Sequence, residues 1–359
     1  AAQTVCRQMD FGPWQKLLFV HIFLDYNMSG KNNPPTLSKS WVFIFWLAGY
    51  NGASPDEKER DASMKTHKGR VLQSRLEGAV FIGPALLAFL PVVAIPFLYS
   101  VVLSVMEWNG ISDEITFVGL KNYIRILTTD ADFKHAFWFT VRITAVSAVI
   151  SNILGLFFAA LLTKKLKIRN WGRTALLLPN IMSGVILGYI WQFIFTRAFP
   201  ALGELLDWGV FQQSWLGTPQ TAFWGIAIVS IWQWTGYTMI IYVAGINSIS
   251  ADVQEAAMLD GATGLQKFFR VTLPLIMPSV TICLFWTITR ACTMFDLPFA
   301  LTAGGPFRSS ETIAMNIYTE AFTRNNYGLG SAKAMLFFAA VLIVAQLQVF
   351  VTSKQEVQA

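Results

Sequence analysis

The chain has 359 residues, of which 54% are hydrophobic and only 13% charged, against about 25% charged in an ordinary soluble domain. That composition, with 13 Trp and 29 Phe, excludes a disordered chain, a coiled coil and a disulfide scaffold, and it points to a bilayer protein. The net charge of +6 sits in short Lys/Arg blocks beside apolar runs, a topology signal and not a nucleic-acid surface.

In chain order, residues 1–63 come first and fit no membrane pattern. Their best apolar run, Trp41–Ala48, is too short to span, and Asn51–Asp61 has the composition of a solvated linker. The sequence Met64-Lys65-Thr66-His67-Lys68-Gly69-Arg70 reads as a natural start, so residues 1–63 are expected to be extra sequence; the rival is a short interfacial extension.

A crossing helix needs about 20 apolar residues. Six segments meet this: Ala79–Leu103; Ala136–Leu162, interrupted only by Arg142; Thr174–Thr196; Thr221–Ile246; Val271–Leu297, with Arg290 and Asp296 near its end; and Ala334–Ser353. Their length and lack of strict alternation give an all-α polytopic transmembrane helix bundle of six spans, not a barrel. The first span and its loop occupy 64–135, and a core domain occupies 136–359. Arg142 lies near one end of its span, where a long side chain snorkels.

Charge placement orients the bundle. Lys65, Lys68, Arg70 and Arg75 precede the first span, and the loop 163–173 carries five Lys/Arg and no acid. The loop 107–135 has three Lys/Arg against five Asp/Glu, and 197–219 has only Arg197 as a base. By the positive-inside rule both termini and the loop 247–270 face the cytoplasm, while 298–333 is extracytoplasmic.

Cys6, Cys283 and Cys292 offer no disulfide. The last two stand nine residues apart in one expected helix, roughly 13 Å along its axis. His21, His67 and His135 lie outside the long apolar runs, so neither a metal site nor a cofactor is expected. No phosphate loop GxxxxGK[ST] occurs, because Gly30-Lys31 lacks the leading Gly and has Asp25 there. No nucleophile–His–acid pattern is visible either; the chain reads as a non-enzyme.

The informative stretch is Ser250–Pro278, within a loop spanning 247–278. Ser250 suits a helix N-cap, and Asp252 suits the positive first turn. Ala256 and Ala257 form helix with almost no bulk. Gly261 suits a left-handed exit, and Thr263 with Gln266 makes a capping-box pattern for a second helix led by Phe268 and Phe269. Pro274 and Pro278 predict a bent entry into the fifth span. The product is a short, broken helix held between two membrane helices.

Glu255-Ala256-Ala257, three residues, Gly261, nine residues, then Val271-Thr272-Leu273-Pro274 resembles the EAA loop of binding-protein-dependent ABC importer permeases. Phe117-Val118-Gly119-Leu120-Lys121-Asn122-Tyr123 and Phe295-Asp296 through Leu301-Thr302-Ala303-Gly304-Gly305-Pro306 resemble the carbohydrate-uptake branch, the glycerol-phosphate, lactose and maltose type. Ala303 stands where that branch has a Gly. Ser310-Glu311-Thr312, Ile317–Phe322 and Tyr327-Gly328 continue the match, which covers 64–359.

The resemblance implies a type I ABC importer permease fold, and coupling to a separate cytoplasmic ATPase dimer through Glu255, Ala256, Ala257, Asp260 and Gly261. It further implies a second, different permease subunit as heterodimer partner, an extracytoplasmic sugar-binding protein docked on the outer loops, and alternating access driven by ATP. A gradient-driven secondary transporter is the alternative; it would show inverted repeats and interrupted helices.

Polar groups inside a membrane are costly and usually functional. The fourth span carries Ser230, Trp232, Gln233, Trp234, Thr235 and Tyr237; the fifth carries Thr287, Thr289, Arg290, Thr293 and Asp296. Aromatic faces beside hydrogen-bonding groups suit sugar rings. By distance from Glu255, the maltose-type relatives place the substrate pathway at Trp232, for stacking, and at Tyr237, Arg290 and Met294. Two bland readings stay open: Trp234 as an interfacial anchor, and Arg290 paired with a neighbouring acid or carbonyl.

Overall fold

A computed structural model describes residues 80, 82–164 and 167–355. The supposed extra segment 1–63, the basic leader Met64–Arg70 and Lys165 lie outside the described residues. The chain divides into two units, 1–92 and 93–359, and the account below concerns the second apart from the first residues of α1.

Helix α1 covers Ile82–Ser104, with a π-helical stretch at Leu90–Ala94. A two-strand hairpin follows, β1 (Met106–Glu107) antiparallel to β2 (Thr116–Phe117), then α2 (Lys121–Thr128) and the long α3 (Ala131–Leu162). Asp130 caps α3 by accepting from the Phe133 N–H. Next come α4 (Arg169–Ile181), α5 (Gly184–Leu206), the single turn α6 (Gly209–Gln212) and α7 (Pro219–Ser248). Then α8 (Ala251–Leu259), α9 (Gly264–Leu275), α10 (Met277–Cys292), α11 (Asp296–Thr302), α12 (Ile313–Tyr318) and α13 (Tyr327–Ser353) complete the chain.

Five of these helices are long and apolar enough to cross a membrane, and the bent pair α9–α10 makes a sixth span. The pair turns by 70° at Ile276, between Pro274 and Pro278, as the two prolines predict. The first, second, fourth and sixth spans match their expected positions to within a few residues at most ends; α3 and α13 begin five and seven residues earlier.

Two expected spans differ. Thr174–Thr196 is not one helix: Met182 and Ser183 are extended, with ψ of 142° and 139°, and divide α4 from α5. Pro179 supplies no N–H to the end of α4. The break re-aims the chain so that Gly184 and Gly188 lie against α11; a Cβ on Gly188 would meet the Ala300 methyl at 2.6 Å. The run is apolar throughout, so composition carries no trace of the break. The fifth span ends at Cys292, not Leu297. Residues 293–295 leave the helix, the Thr312 hydroxyl donates to the freed Met294 carbonyl at 3.0 Å, and Asp296 starts α11.

The core is a trio, α3, α7 and α10. It buries Phe139, Ile143, Ile226 and Trp234 in one cluster, and Leu162, Met239, Tyr242 and Ile276 in another. Small residues bring the backbones together: a Cβ on Gly155 would overlap the Thr238 side chain, and one on Gly236 would overlap the Leu176 carbonyl of α4. Leu162 at the C-terminus of α3 packs with Val243 and Ile276, whereas the N-terminus of α3 packs with Ile313 and Leu329. The α8–α9 segment and the segment 303–324 therefore lie at opposite ends of a 32-residue helix, about 48 Å apart by its rise.

At the second of these ends a closed ring of charged and polar groups ties the arch 303–312 to the bundle. Lys333 of α13 is fully buried and pairs with Asp130 (2.8 Å) and Glu320 (2.9 Å), and it donates to Asn316 (3.0 Å). Glu320 accepts from Arg324 (3.0 Å), Arg324 reaches Asp132 (3.2 Å), and Asp132 pairs with Arg308. Arg308 grips Glu311 through both its Nε and its Nη2 (2.8 and 2.9 Å), and Asn316 donates to Glu311 at 3.5 Å, closing the ring. The hydrogen bond to Glu311, with the nearby Glu311 and Asp132 charges, holds the Arg308 guanidinium above its ordinary pKa.

Candidate functional site

Two places carry the expected site residues. The first is the segment between α7 and α9. Ser250 accepts from the Val253 N–H at 3.4 Å and caps α8; Gly261 has φ of +76°, the left-handed exit expected of it. Thr263 and Gln266 form the reciprocal capping box, at 3.4 and 3.0 Å. Ala257 is the buried residue of α8, so its methyl seats the helix while the opposite face is free. Glu255, Ala256, Asp260 and Gly261 are exposed there, with Met258 and Leu259 beside them. Leu259 is 89% exposed, and no atom lies within 4 Å of where a Cβ on Gly261 would stand. The segment is a rigid, capped lever with an open apolar and acidic surface.

The second place is a cavity of ≈ 80 Å³ lined by Gly184, Gln233, Trp234, Arg290, Asp296 and neighbours including Met294. It lies where α4 breaks from α5 and where α10 stops, so the two departures from straight spans are what open it. Arg290 and Met294 share this cavity. Met294 is buried and accepts a hydrogen bond from Ser230 at 3.5 Å, whereas Arg290 and Asp296 are exposed and have no hydrogen-bond or ion-pair partner among the described residues. The pairing suggested for Arg290 is absent there.

Trp232 and Tyr237 are not brought to the cavity lining. Trp232, 39% exposed, lies edge-on to Trp191 (5.5 Å, 73°). Tyr237 is buried, stacked on Trp286 at 4.1 Å and 29°. Trp234 is not an interfacial anchor: it is 2% exposed in the core, lines the cavity, and its indole N–H has no partner among the described residues. Gln233, which donates to the Met182 carbonyl at 3.3 Å across the α4–α5 break, also lines it. The signal for Trp234 was present in the Gln233-Trp234 pair; the facing break was not.

The Lys333 ring escaped sequence reasoning altogether. Lys333 immediately precedes the apolar run 334–353, and its partners lie 13 to more than 200 positions away in sequence.

Residues 151–357 match the model of the family described as "Binding-protein-dependent transport system inner membrane component". The "Probable starch degradation products transport system permease protein AmyD" of Thermoanaerobacterium thermosulfurigenes is 41% identical over 279 residues, 78% of this chain and 94% of that protein. The trehalose/maltose transport system permease protein MalF of Thermococcus litoralis is 32% identical, over 77% of this chain and 93% of its own length. In three dimensions the chain resembles a bacterial ABC transporter for the acidic polysaccharide alginate, with a TM-score of 0.68 at 19% identity over 79% of this chain and 99% of that one.

Proposed function

We propose a function from one premise: the chain belongs to the family of binding-protein-dependent transport system inner membrane components. It is a multi-pass permease subunit of an ABC importer, and ATP hydrolysis belongs to a separate subunit. Its cargo is a sugar, the class that the relatives' names carry. A gradient-driven carrier is the reading this membership displaces.

The observation that carries the mechanism is α8, capped by Ser250 and closed by left-handed Gly261, presenting Glu255, Met258 and Leu259 at the end of the two core helices α7 and α10. With both termini in the cytoplasm, this lever meets a dimer of ATPase subunits. Closure of the ATPases on ATP pushes α8; the bent α9–α10 pair transmits the push to the cavity, because Ile276 is the pivot and α10 ends at the cavity wall. A second, different permease completes the pathway, and the sugar passes between the two in the cytoplasmic membrane of a bacterium or archaeon. A sugar-binding protein docks on the extracytoplasmic arch.

In the pathway, Trp232 and Tyr237 offer aromatic faces, and Arg290 offers a guanidinium free to donate. Met294 shapes the wall, and the unpaired Trp234 N–H gains a partner when a hydroxyl enters. Uptake measured in cells decides the reading. Inactivating the ATPase subunit should abolish it and an uncoupler alone should not; uptake that survives loss of the ATPase refutes the importer mechanism.

A further inference from the structure

Phe307 is 97% exposed, more than any other large apolar side chain among the described residues. It lies in the arch 303–312, and its backbone is left-handed, with φ of 53°; Arg308 follows with φ of 59°. A residue with a Cβ pays for that conformation, and two in succession persist only where their surroundings impose it. The surroundings are on the page. Arg308 is gripped by Glu311 and paired with Asp132, so the charged ring holds the second of the two residues. The turn itself is laced: the Ser310 N–H donates to the Gly304 carbonyl (3.2 Å), the Ser310 hydroxyl donates to the Gly305 carbonyl (2.6 Å) and also meets the Thr302 hydroxyl (2.8 Å), and the Ser309 N–H donates to Pro306 (2.9 Å).

The result is a stiff turn, fastened through the ring to α3 and α13, whose product is an aromatic ring standing in solvent. Folding gains nothing from this: the side chain buries no area, and the backbone is costly. Binding does gain. An aromatic anchor fixed in advance loses little entropy on entering a pocket, and such anchors dominate interface energetics.

We propose that Phe307 is the anchor by which the arch engages the extracytoplasmic binding protein, its ring filling an apolar pocket with an acidic rim on that protein. The rim follows from charge. Arg308 and Arg324, each with about two fifths of its side chain exposed, share one surface carboxylate, Asp132, while Glu311 and Glu320 are buried, so the surface beside Phe307 is net cationic. The proposal rests on the importer reading above.

The test uses the complete transporter in liposomes and, as probe, the purified binding protein that stimulates ATP hydrolysis by the wild-type complex. If no binding protein stimulates the wild type, the importer reading itself fails, before any variant is made. Given stimulation, Phe307→Ala should raise the binding-protein concentration for half-maximal stimulation about 30-fold, the loss typical of an aromatic anchor. The maximal rate at saturating binding protein should stay within about twofold, since the anchor acts on affinity. Arg308→Gly, which keeps the left-handed backbone but unties it from the ring, should raise half-saturation about tenfold by releasing the preorganised turn. A shift below about fivefold for Phe307→Ala overturns the proposal. Benzophenone-alanine at position 307 gives an independent outcome. A photo-adduct with the binding protein supports the anchor; an adduct with the second permease or with lipid alone overturns it.

Discussion

The Tyr242 phenol in α7 donates to the Asn152 side-chain carbonyl in α3 at 2.7 Å, and the same Asn152 donates through its amide to Thr287 in α10 at 2.9 Å. One buried residue thereby joins all three core helices. Interhelical hydrogen bonds of this kind contribute about 0.6 kcal/mol on average and up to about 1.7 in membrane proteins. Tyr242→Phe should lower stability by about 1 kcal/mol, and Asn152→Ala by about twice that, because it strands two partners. Thermal melts of the purified complex measure both; equal, negligible shifts would show the junction to be unimportant.

Lys333 is enclosed among Asp130, Glu320 and Asn316 with no exposed surface. Lys333→Met leaves Glu320 facing Asp130 without its counter-charge, a change that costs about 3–5 kcal/mol in buried pairs. The double variant Lys333→Met with Glu320→Gln should recover part of the loss, since it removes one stranded charge. Melting temperatures of the two proteins decide this: a double variant no more stable than the single one speaks against pairing as the cause.

Ala303 ends α11 with φ of 49°, in the left-handed region, at the position where the carbohydrate branch carries Gly. The methyl group pays about 1 kcal/mol there. Ala303→Gly should therefore stabilise the protein by about 1 kcal/mol, less whatever the freer unfolded chain takes back. A lower melting temperature would contradict the strain.

Gly261 has open space around it and φ of +76°. Gly261→Trp should cost the fold only the backbone strain, about 1–2 kcal/mol, and leave the membrane bundle intact. Uptake should fall steeply, because the bulky ring obstructs the surface offered to the ATPase. Full uptake in this variant would remove Gly261 from the coupling surface.

Arg290 lines the cavity and has no partner among the described residues, so its removal strands no acid. Arg290→Gln should leave the melting temperature unchanged and lower uptake about tenfold, the loss of one charge-assisted hydrogen bond to cargo. Trp232→Ala should lower uptake too, through lost stacking. Unchanged uptake and specificity in either variant would take that residue out of the pathway.

Much of this was legible before any coordinates. Ser250, Gly261 and the Thr263–Gln266 box act within four residues of themselves, so a local reading places them correctly. The bend at Ile276 follows from Pro274 and Pro278, whose missing N–H groups are local facts as well. The break at Met182–Ser183 was invisible because the run around it is uniformly apolar, and only the close approach of Gly188 to Ala300 gives it a purpose.

The chain's pattern of apolar runs, caps and sparse charges was enough for an all-helical membrane bundle, its number of spans and its coupling helix, because each rests on groups within one or two helical turns. Which carboxylates reach Lys333, what Arg308 grips and where Phe307 points are settled by the way α3, the arch and α13 pack together. Those partners are up to 203 residues apart, and no local propensity encodes a distance across the bundle.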